Sequence, residues 1–338
     1  MSFKILSIDG GGIRGILPGT ILAYLENSIH NRLKEKGVEH HKVRISDYFD
    51  LVAGTSTGGI LTCCLLCPDE EGRAKYSAKQ AVDVYMENGD IIFSSTFWHK
   101  IVSGLGIFDD KYPAETLEKI FIKYFGDIKL SDLIKPCLIP AYDILNYKEN
   151  FFNSKDSDNP YLDYYVRDVA RATSAAPTYF PVANIPTLVG TPVPMIDGGV
   201  FANNPSMCAL VEAGKFLPKD KEEKVFMLSI GTGKSVKRPP SYSYEQTKGW
   251  GALEWIAPLL NIMMSGNSQT VDYQLKKMSK DKRFLSHYYR LQPELVHADS
   301  AMDNASKENI QYLKYDAEQF IANNVEMLEE LVTLILSE

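Results

Sequence analysis

The chain has 338 residues, with 36 Lys and Arg against 43 Asp and Glu (net charge −7), and is 45% hydrophobic and 23% charged. This near-average composition excludes a collagen, a coiled-coil rod and a disordered chain, and the acidic balance argues against a nucleic-acid polymer as partner, which calls for a basic surface. Five cysteines in so long a chain do not make a disulfide scaffold, and at about 150 residues per domain the length allows two domains, or one large α/β domain with an appendage.

Phe3–Ile8 is a short apolar run ending in Asp9 and three glycines, the pattern of a buried parallel strand. The start lacks the long apolar stretch of a secretory leader, and no run of about 18 apolar residues offers a membrane span. The expectation is a cytoplasmic protein with reduced thiols. Between Ile16 and Lys36, the apolar residues Ile21, Leu22, Leu25 and Ile29 recur at helical spacing. Phe49–Ala53 predicts a second buried strand, and Ile60–Leu66 a helix behind it. Strand, glycine turn and helix, twice over, argue for an α/β fold with a mainly parallel sheet. Further strands are expected at Cys137–Tyr142, Val193–Ile196 and Val225–Ile230, and helices at Ala78–Glu87, Ala114–Tyr124, Tyr164–Thr173 and Pro205–Phe216. Past Gly233 the composition shifts. Lys234–Gly249 is polar with Pro239-Pro240 and reads as a linker or loop, Trp250–Met264 as an apolar helix, and Lys307–Leu336 as a long helix with one or two breaks.

Gly54-Thr55-Ser56-Thr57-Gly58 is the chain's only G-x-S-x-G string. Chance supplies about 0.1 such matches in a chain this long, so the context carries the weight. A buried strand enters and a helix leaves, the setting of a nucleophile elbow in which the Ser hydroxyl projects from a helix N-terminus. The positive end of that helix favours a developing negative charge.

The loop Asp9-Gly10-Gly11-Gly12-Ile13-Arg14-Gly15 carries a G-x-G-x-x-G string. A dinucleotide site needs an acidic residue at the end of the next strand, whereas Glu26 falls inside a predicted helix. A nucleotide-binding or phosphotransfer protein built on this loop stays an alternative. An oxyanion hole accounts for the loop better, because consecutive glycines let backbone N–H groups face a tetrahedral oxyanion unobstructed. Arg14 is expected to order the loop through a salt bridge or to bind an anion. Gly231-Thr232-Gly233-Lys234-Ser235 imitates a phosphate loop, but the required earlier glycine is Leu228.

A serine nucleophile needs a base. None of the six histidines (His30, His40, His41, His99, His287, His297) follows a predicted buried strand with small neighbours, although His287 and His297, lying after the region expected for an acid, leave a triad in the chain order Ser…Asp…His open. Asp197 is the better candidate. The apolar Val193–Ile196 delivers it to Gly198-Gly199, at the edge where a parallel sheet places its active site. An ordinary Asp, with a pKa of about 3.9, is a weak base, so the role requires a desolvated site and a strong oxyanion hole.

Together, Asp9–Gly15, Gly54–Gly58 and Asp197–Gly199, in this order, resemble the patatin-like phospholipase family of lipid acyl hydrolases, and Ala172–Pro177, Phe201–Pro205 and Leu228–Gly233 are similar too. The likeness covers roughly residues 3–235. It implies a three-layer α/β/α fold with a mainly parallel central sheet and a Ser56–Asp197 dyad. The oxyanion hole would fall on Gly10, Gly11 and Gly12, with Gly11 and Gly12 foremost. Asp9, Arg14, Gly15, Gly54, Gly58, Gly198 and Gly199 would support the motifs, and neither metal nor other cofactor would be needed. Because these motifs must converge on one site, residues 3–235 are expected to form one acyl hydrolase domain, with 236–338 a helical C-terminal extension packed on it.

The implied substrate is a phospholipid or lysophospholipid, cleaved by a cytoplasmic enzyme acting at the membrane surface. Two segments are candidates for peripheral membrane contact. Ile91-Ile92-Phe93 with Phe97, Trp98, Ile101, Leu105, Ile107 and Phe108 reads as a lid or as ordinary core. In the second, Trp250, Leu253, Ala257, Leu260 and Met264 form a stripe that Trp255, Leu259 and Ile262 broaden, so the helix reads first as core and then as a lipid or dimer contact. Some bacterial relatives are antiphage effectors switched on by cyclic nucleotides, which makes a cyclic dinucleotide a candidate activator, against constitutive lipid metabolism or secretion as a toxin; a homo-oligomer is a separate candidate assembly. Cys63, Cys64 and Cys67 read as buried small hydrophobes.

Overall fold

The computed structural model describes residues 2–38, 42–92, 114–217, 224–236, 243–281 and 285–337. In chain order they form β1 (Phe3–Ile8), α1 (Ile16–Glu35), β2 (Leu51–Gly54), α2 (Thr57–Leu66), α3 (Ala78–Ile92), α4 (Ala114–Phe125), β3 (Cys137–Asp143), β4 (Lys148–Asn153), α5 (Val166–Thr173), β5 (Ala183–Ile185), β6 (Val193–Asp197), α6 (Gly199–Ala202), α7 (Ser206–Ala213), β7 (Val225–Ile230), β8 (Lys234–Ser235), α8 (Tyr244–Thr247), α9 (Ala252–Met278), β9 (Leu285–Leu291), β10 (Glu294–Leu295), α10 (Lys307–Asn323) and α11 (Val325–Leu336).

Successive residues of a strand point to opposite faces of its sheet, and β1 shows what covers each face. Leu6 and Ile8 pack with α1, α2, α3, α10 and α11, while Ile5 packs with Ala209 and Leu210 of α7 and Val271 and Leu275 of α9. The sheet between these two helical layers has eight strands, in the order β5-β6-β3-β2-β1-β7-β9 with β4 also paired to β3. The expected three-layer α/β/α architecture is thus present. β3, β2, β1, β7 and β9 run parallel, whereas β4 and β6 run antiparallel to β3, and β5, antiparallel to β6, returns to the direction of β3.

Strand direction at β6 differs from the sequence expectation, and the difference builds the site. β4 pairs with β3 along Leu138–Asp143 and occupies one edge of it. The other edge must therefore serve both β2, at Cys137 and Leu138, and β6, at Ala141–Asp143. β2 climbs that edge and β6 descends it, so their C-terminal ends meet head-on. Pro140 sits at the seam between them, where a residue without an N–H forfeits no ladder bond. A four-residue apolar run carries no direction, which is why the antiparallel course of β6 is not legible in it.

Residues beyond 236 supply the predicted helices and, in addition, β9, whose Leu285–Leu291 pairs in parallel with Val225–Ile230. Part of the expected loop at Lys234–Gly249 is regular, as β8 and the single turn α8. The predicted helix from Trp250 becomes the 27-residue α9. It is not core on most sides. Met264, Val271 and Leu275 are buried, whereas Trp255, Leu259, Ile262 and Met263 are between 39% and 50% exposed. The candidate lid lies outside the described residues after Ile92. Among the described residues no helix is long and apolar enough to cross a membrane.

Candidate active site

Ser56 stands at the turn between β2 and α2 with φ 55° and ψ −120°, a backbone conformation that costs a residue bearing a Cβ about 1–3 kcal/mol. The surrounding groups hold it there. Its N–H donates to Thr173 Oγ1 (2.9 Å), and the Thr173 hydroxyl donates to the Pro140 carbonyl at the seam (2.7 Å). The Thr55 N–H bonds the Ile8 carbonyl (3.2 Å), and the Thr55 hydroxyl bonds the Ala202 carbonyl (2.6 Å). Gly58 lets the first turn of α2 lie on the end of β1: a Cβ there would fall 2.2 Å from the Ile8 carbonyl oxygen. Gly54 lies against the Gly58 carbonyl, and Gly15 against the Thr57 side chain.

Asp197 ends β6 and is 2% exposed, beside a Ser56 that is 7% exposed. Its N–H donates to the Ala175 carbonyl (3.0 Å), so the Ala172–Pro177 stretch holds both Ser56, through Thr173, and Asp197. Oδ1 accepts the Gly199 N–H (2.7 Å), while the buried Oδ2 accepts no hydrogen bond from the described residues. Gly198 lies against the Pro140 carbonyl. Burial pushes the Asp197 pKa up. The neighbouring Ser56 hydroxyl and the Gly199 N–H pull it back only in part, and it settles at about 7. Although near enough to bias that titration, the Ser56 hydroxyl makes no well-formed bond to the carboxylate.

The glycine loop borders the same space. A Cβ on Gly10 would stand 3.3 Å from the Ser56 Cβ and 2.4 Å from Asn203 Oδ1. The Gly10 N–H is already engaged by the Asn203 carbonyl (3.0 Å), and the Ile13 N–H by the Met302 carbonyl (2.9 Å). The N–H groups of Gly11 and Gly12 meet no acceptor among the described residues. Gly12 has φ +60° and so tight a contact with Met302 that a Cβ would lie 2.1 Å from its carbonyl oxygen. The Thr232 hydroxyl donates to the Gly10 carbonyl (2.8 Å), so the segment that imitates a phosphate loop braces the glycine loop instead.

Arg14 departs from the expected salt bridge. Its Nε donates to the Gly11 carbonyl (3.2 Å), and burial lowers its pKa to about 10. Asp9 is the residue in an ion pair. Its carboxylate receives both Nη groups of Arg290, from β9, at 2.8 and 2.5 Å. Burial pushes the Asp9 pKa up, and Arg290 counters this in part. For Arg290, burial works against the charge, but Asp9, joined by Tyr288 and Asp272, outweighs it and the pKa ends above its ordinary value. Helix α9 supplies Ser268, which lies beside Asp9 and accepts a hydrogen bond from Asn203 Nδ2 (3.0 Å). It also supplies Asn267, which bonds the Asn204 N–H (3.0 Å) and the Phe201 carbonyl (2.7 Å).

No histidine among the described residues bonds Ser56 or Asp197. His287 Nδ1 lies 3.1 Å from Ser286 Oγ, and His297 Nδ1 2.7 Å from Asp316 Oδ1. His40, His41 and His99 lie outside the described residues. Glu26 is buried and accepts the backbone N–H groups of Ile45 (2.8 Å) and Ala78 (3.1 Å), a structural use that leaves it unavailable to a ribose. Cys63, Cys64 and Cys67 are buried, and burial pushes the Cys67 thiol up to about 11. Thr173, Asn203, Thr232, Asn267, Ser268, Arg290 and Met302 were not singled out from the sequence as site residues. Thr173, Asn203 and Thr232 lie within the similar stretches, but which backbone group each one holds follows only from the fold.

A strained serine at a strand–helix elbow and a buried aspartate beside it thus stand at the edge of a sheet between two helical layers. Comparison with known families is specific: the patatin-like phospholipase model matches residues 6–210. Patatin-like protein 1 of Oryza sativa subsp. indica is 33% identical over 344 residues, covering 95% of this chain and 81% of that protein. Patatin-like protein 1 of Arabidopsis thaliana is likewise 33% identical, over 350 residues, with 95% and 82% covered. Patatin group D-2 of Solanum tuberosum is 30% identical over 337 residues, with 95% and 84% covered. The chain belongs to the patatin-like phospholipase family, a family of lipid acyl hydrolases. The similarity to these plant proteins runs well past residue 235, through β9 and Arg290.

Proposed function

We propose that the protein is a serine phospholipase of the phospholipase A or lysophospholipase type, using Ser56 and Asp197 as its dyad. The observation that carries this reading is Asp197 itself: a buried carboxylate with a pKa of about 7, one oxygen unbonded, next to a serine held at φ 55°. A base whose pKa lies near the working pH combines the ionised form with useful proton affinity. Asp197 takes the Ser56 proton as Oγ attacks the ester carbonyl, and the Gly11 and Gly12 N–H groups receive the oxyanion. The N-terminal end of α2 adds its positive potential. Asp197 returns that proton to the leaving oxygen as the C–O bond breaks, and the alcohol departs as a lysolipid, or as a glycerophosphodiester from a lysolipid. Water activated by Asp197 then cleaves the acyl-enzyme and releases the fatty acid. Gly10 shapes the loop in this scheme, its own N–H being engaged.

Lipid is proposed to meet the protein at the exposed apolar residues of α9, whose opposite side carries Met264 against Gly199 of the site. The test is hydrolysis of phospholipid vesicles by purified protein, with the products separated as fatty acid and lysolipid. Wild type cleaves and Ser56→Ala does not. Cleavage retained by Ser56→Ala overturns the reading. The same assay, with and without a cyclic dinucleotide, separates a constitutive enzyme from an activated one.

A further inference from the structure

The segment beyond residue 236 holds the proposed oxyanion loop at both of its ends. The Met302 carbonyl accepts the Ile13 N–H where the glycines end, and Arg290 grips Asp9 where they begin. Asp9 is the residue at which β1 gives way to the glycines, and its own N–H is fixed to the Ile230 carbonyl (3.0 Å). The Arg290 fork is nearly fixed in turn. One Nη also donates to Ser229 Oγ and the other to Gln292 Oε1, each at 2.8 Å, and the Arg290 and Asp9 side chains are only 9% and 4% exposed. A planar fork held at four acceptors fixes the carboxylate in direction as well as distance. Ser268, beside Asp9, joins this cluster to Asn203, whose carbonyl holds the Gly10 N–H.

We propose that Arg290 is a positioning residue for catalysis, acting through Asp9 to aim the Gly11 and Gly12 N–H groups and to neutralise a carboxylate that would otherwise oppose the oxyanion. The proposal rests on the acyl hydrolase reading and deepens it, since the residue lies far outside the three motifs. Two consequences follow from the chemistry. Lysine supplies the charge but not the fork, so it restores only part of the alignment. Removing the cation alone leaves a buried unpaired carboxylate, whereas neutralising both partners does not.

The experiment compares wild type, Arg290→Gln, Arg290→Lys and Asp9→Asn/Arg290→Gln on a soluble acyl ester, with thermal unfolding measured alongside. Arg290→Gln is expected to lose about 30- to 100-fold in kcat with KM within about threefold, the signature of an interaction made in the transition state. Arg290→Lys keeps activity within about tenfold of wild type, and the double variant recovers part of what Arg290→Gln loses. The acid limb of the pH profile, set by Asp197, stays in place in all of them. A lower unfolding temperature with unchanged kcat, or a raised KM at unchanged kcat, overturns the positioning role. If Arg290→Gln does not fold, Arg290→Lys and the double variant decide on the same criteria. A wild type that hydrolyses no ester overturns the acyl hydrolase reading itself, a different result from an active Arg290→Gln.

Discussion

Replacing Asp197 by Asn should make the protein more stable at neutral pH while removing its base. Burial lifts this carboxyl from an ordinary 3.8 to about 7, about three units, which corresponds to about 4 kcal/mol at 1.36 kcal/mol per unit. The sign follows from the protons bound. Between the two pKa values the native state keeps a proton that the unfolded chain has lost, so stability falls as pH rises. The penalty is absent at pH values below the ordinary pKa and fully in place above pH 7. Asn carries no such charge, and its Oδ1 can still accept the Gly199 N–H. The stability advantage of Asp197→Asn over wild type should therefore widen by about 2.5 kcal/mol between pH 5 and pH 8. Any fixed cost of placing the amide cancels in that difference. Urea unfolding of both proteins at the two pH values measures it. An advantage that stays constant, or that grows toward acid, would refute the claim that Asp197 is held in a desolvated site with a raised pKa.

Three further outcomes follow from the same geometry. Ser56→Gly should be more stable than Ser56→Ala by about 1 kcal/mol, because only glycine is at ease at this backbone conformation, and neither variant should hydrolyse ester; equal unfolding free energies would remove the strain argument. Gly12→Ala places a Cβ against the Met302 carbonyl at φ +60° and should lower kcat at least about 100-fold; wild-type activity in a folded Gly12→Ala would mean that the loop does not form the hole. On vesicles, Trp255→Ala should weaken binding about tenfold, since one large apolar side chain is worth about 1.5 kcal/mol or more on burial, and unchanged sedimentation with liposomes would exclude α9 as the docking face.

The parts of the site that could be read from the sequence are those whose chemistry is local. A glycine run after an apolar strand, a serine between glycines and an aspartate before two glycines each announce a sharp turn with a functional group on it, and the structure brings all three to one seam on β3. What could not be read depends on long-range pairing. Nothing in Val193–Ile196 says that it runs antiparallel, and that direction is what brings Asp197 down to Ser56. Helix α9 was expected to end near Met264, because the apolar stripe yields there to Ser265, Gly266, Asn267 and Ser268. The helix continues because Asn267 and Ser268 are used as partners for the loop after Asp197. β9 is not legible in the sequence, since the alternation of Leu285–Leu291 is broken by His287 on the apolar face and Tyr288 on the polar one. Arg290 is buried only because Asp9, 281 residues away in sequence, is there to pair with it. Arg14 was expected in an ion pair on the strength of its charge, and a backbone carbonyl took that place.

Activation of Ser56 by Asp197 is read out by the rate at which a fluorophosphonate labels the protein, followed against pH with the modified residue located by mass spectrometry. Labelling at Ser56 that rises with pH through about 7 in wild type, becomes slow and pH-independent in Asp197→Asn, and persists in all six His→Ala variants is the predicted result. Labelling at another residue, labelling indifferent to Asp197→Asn, or its loss in a single folded His→Ala variant would contradict the account.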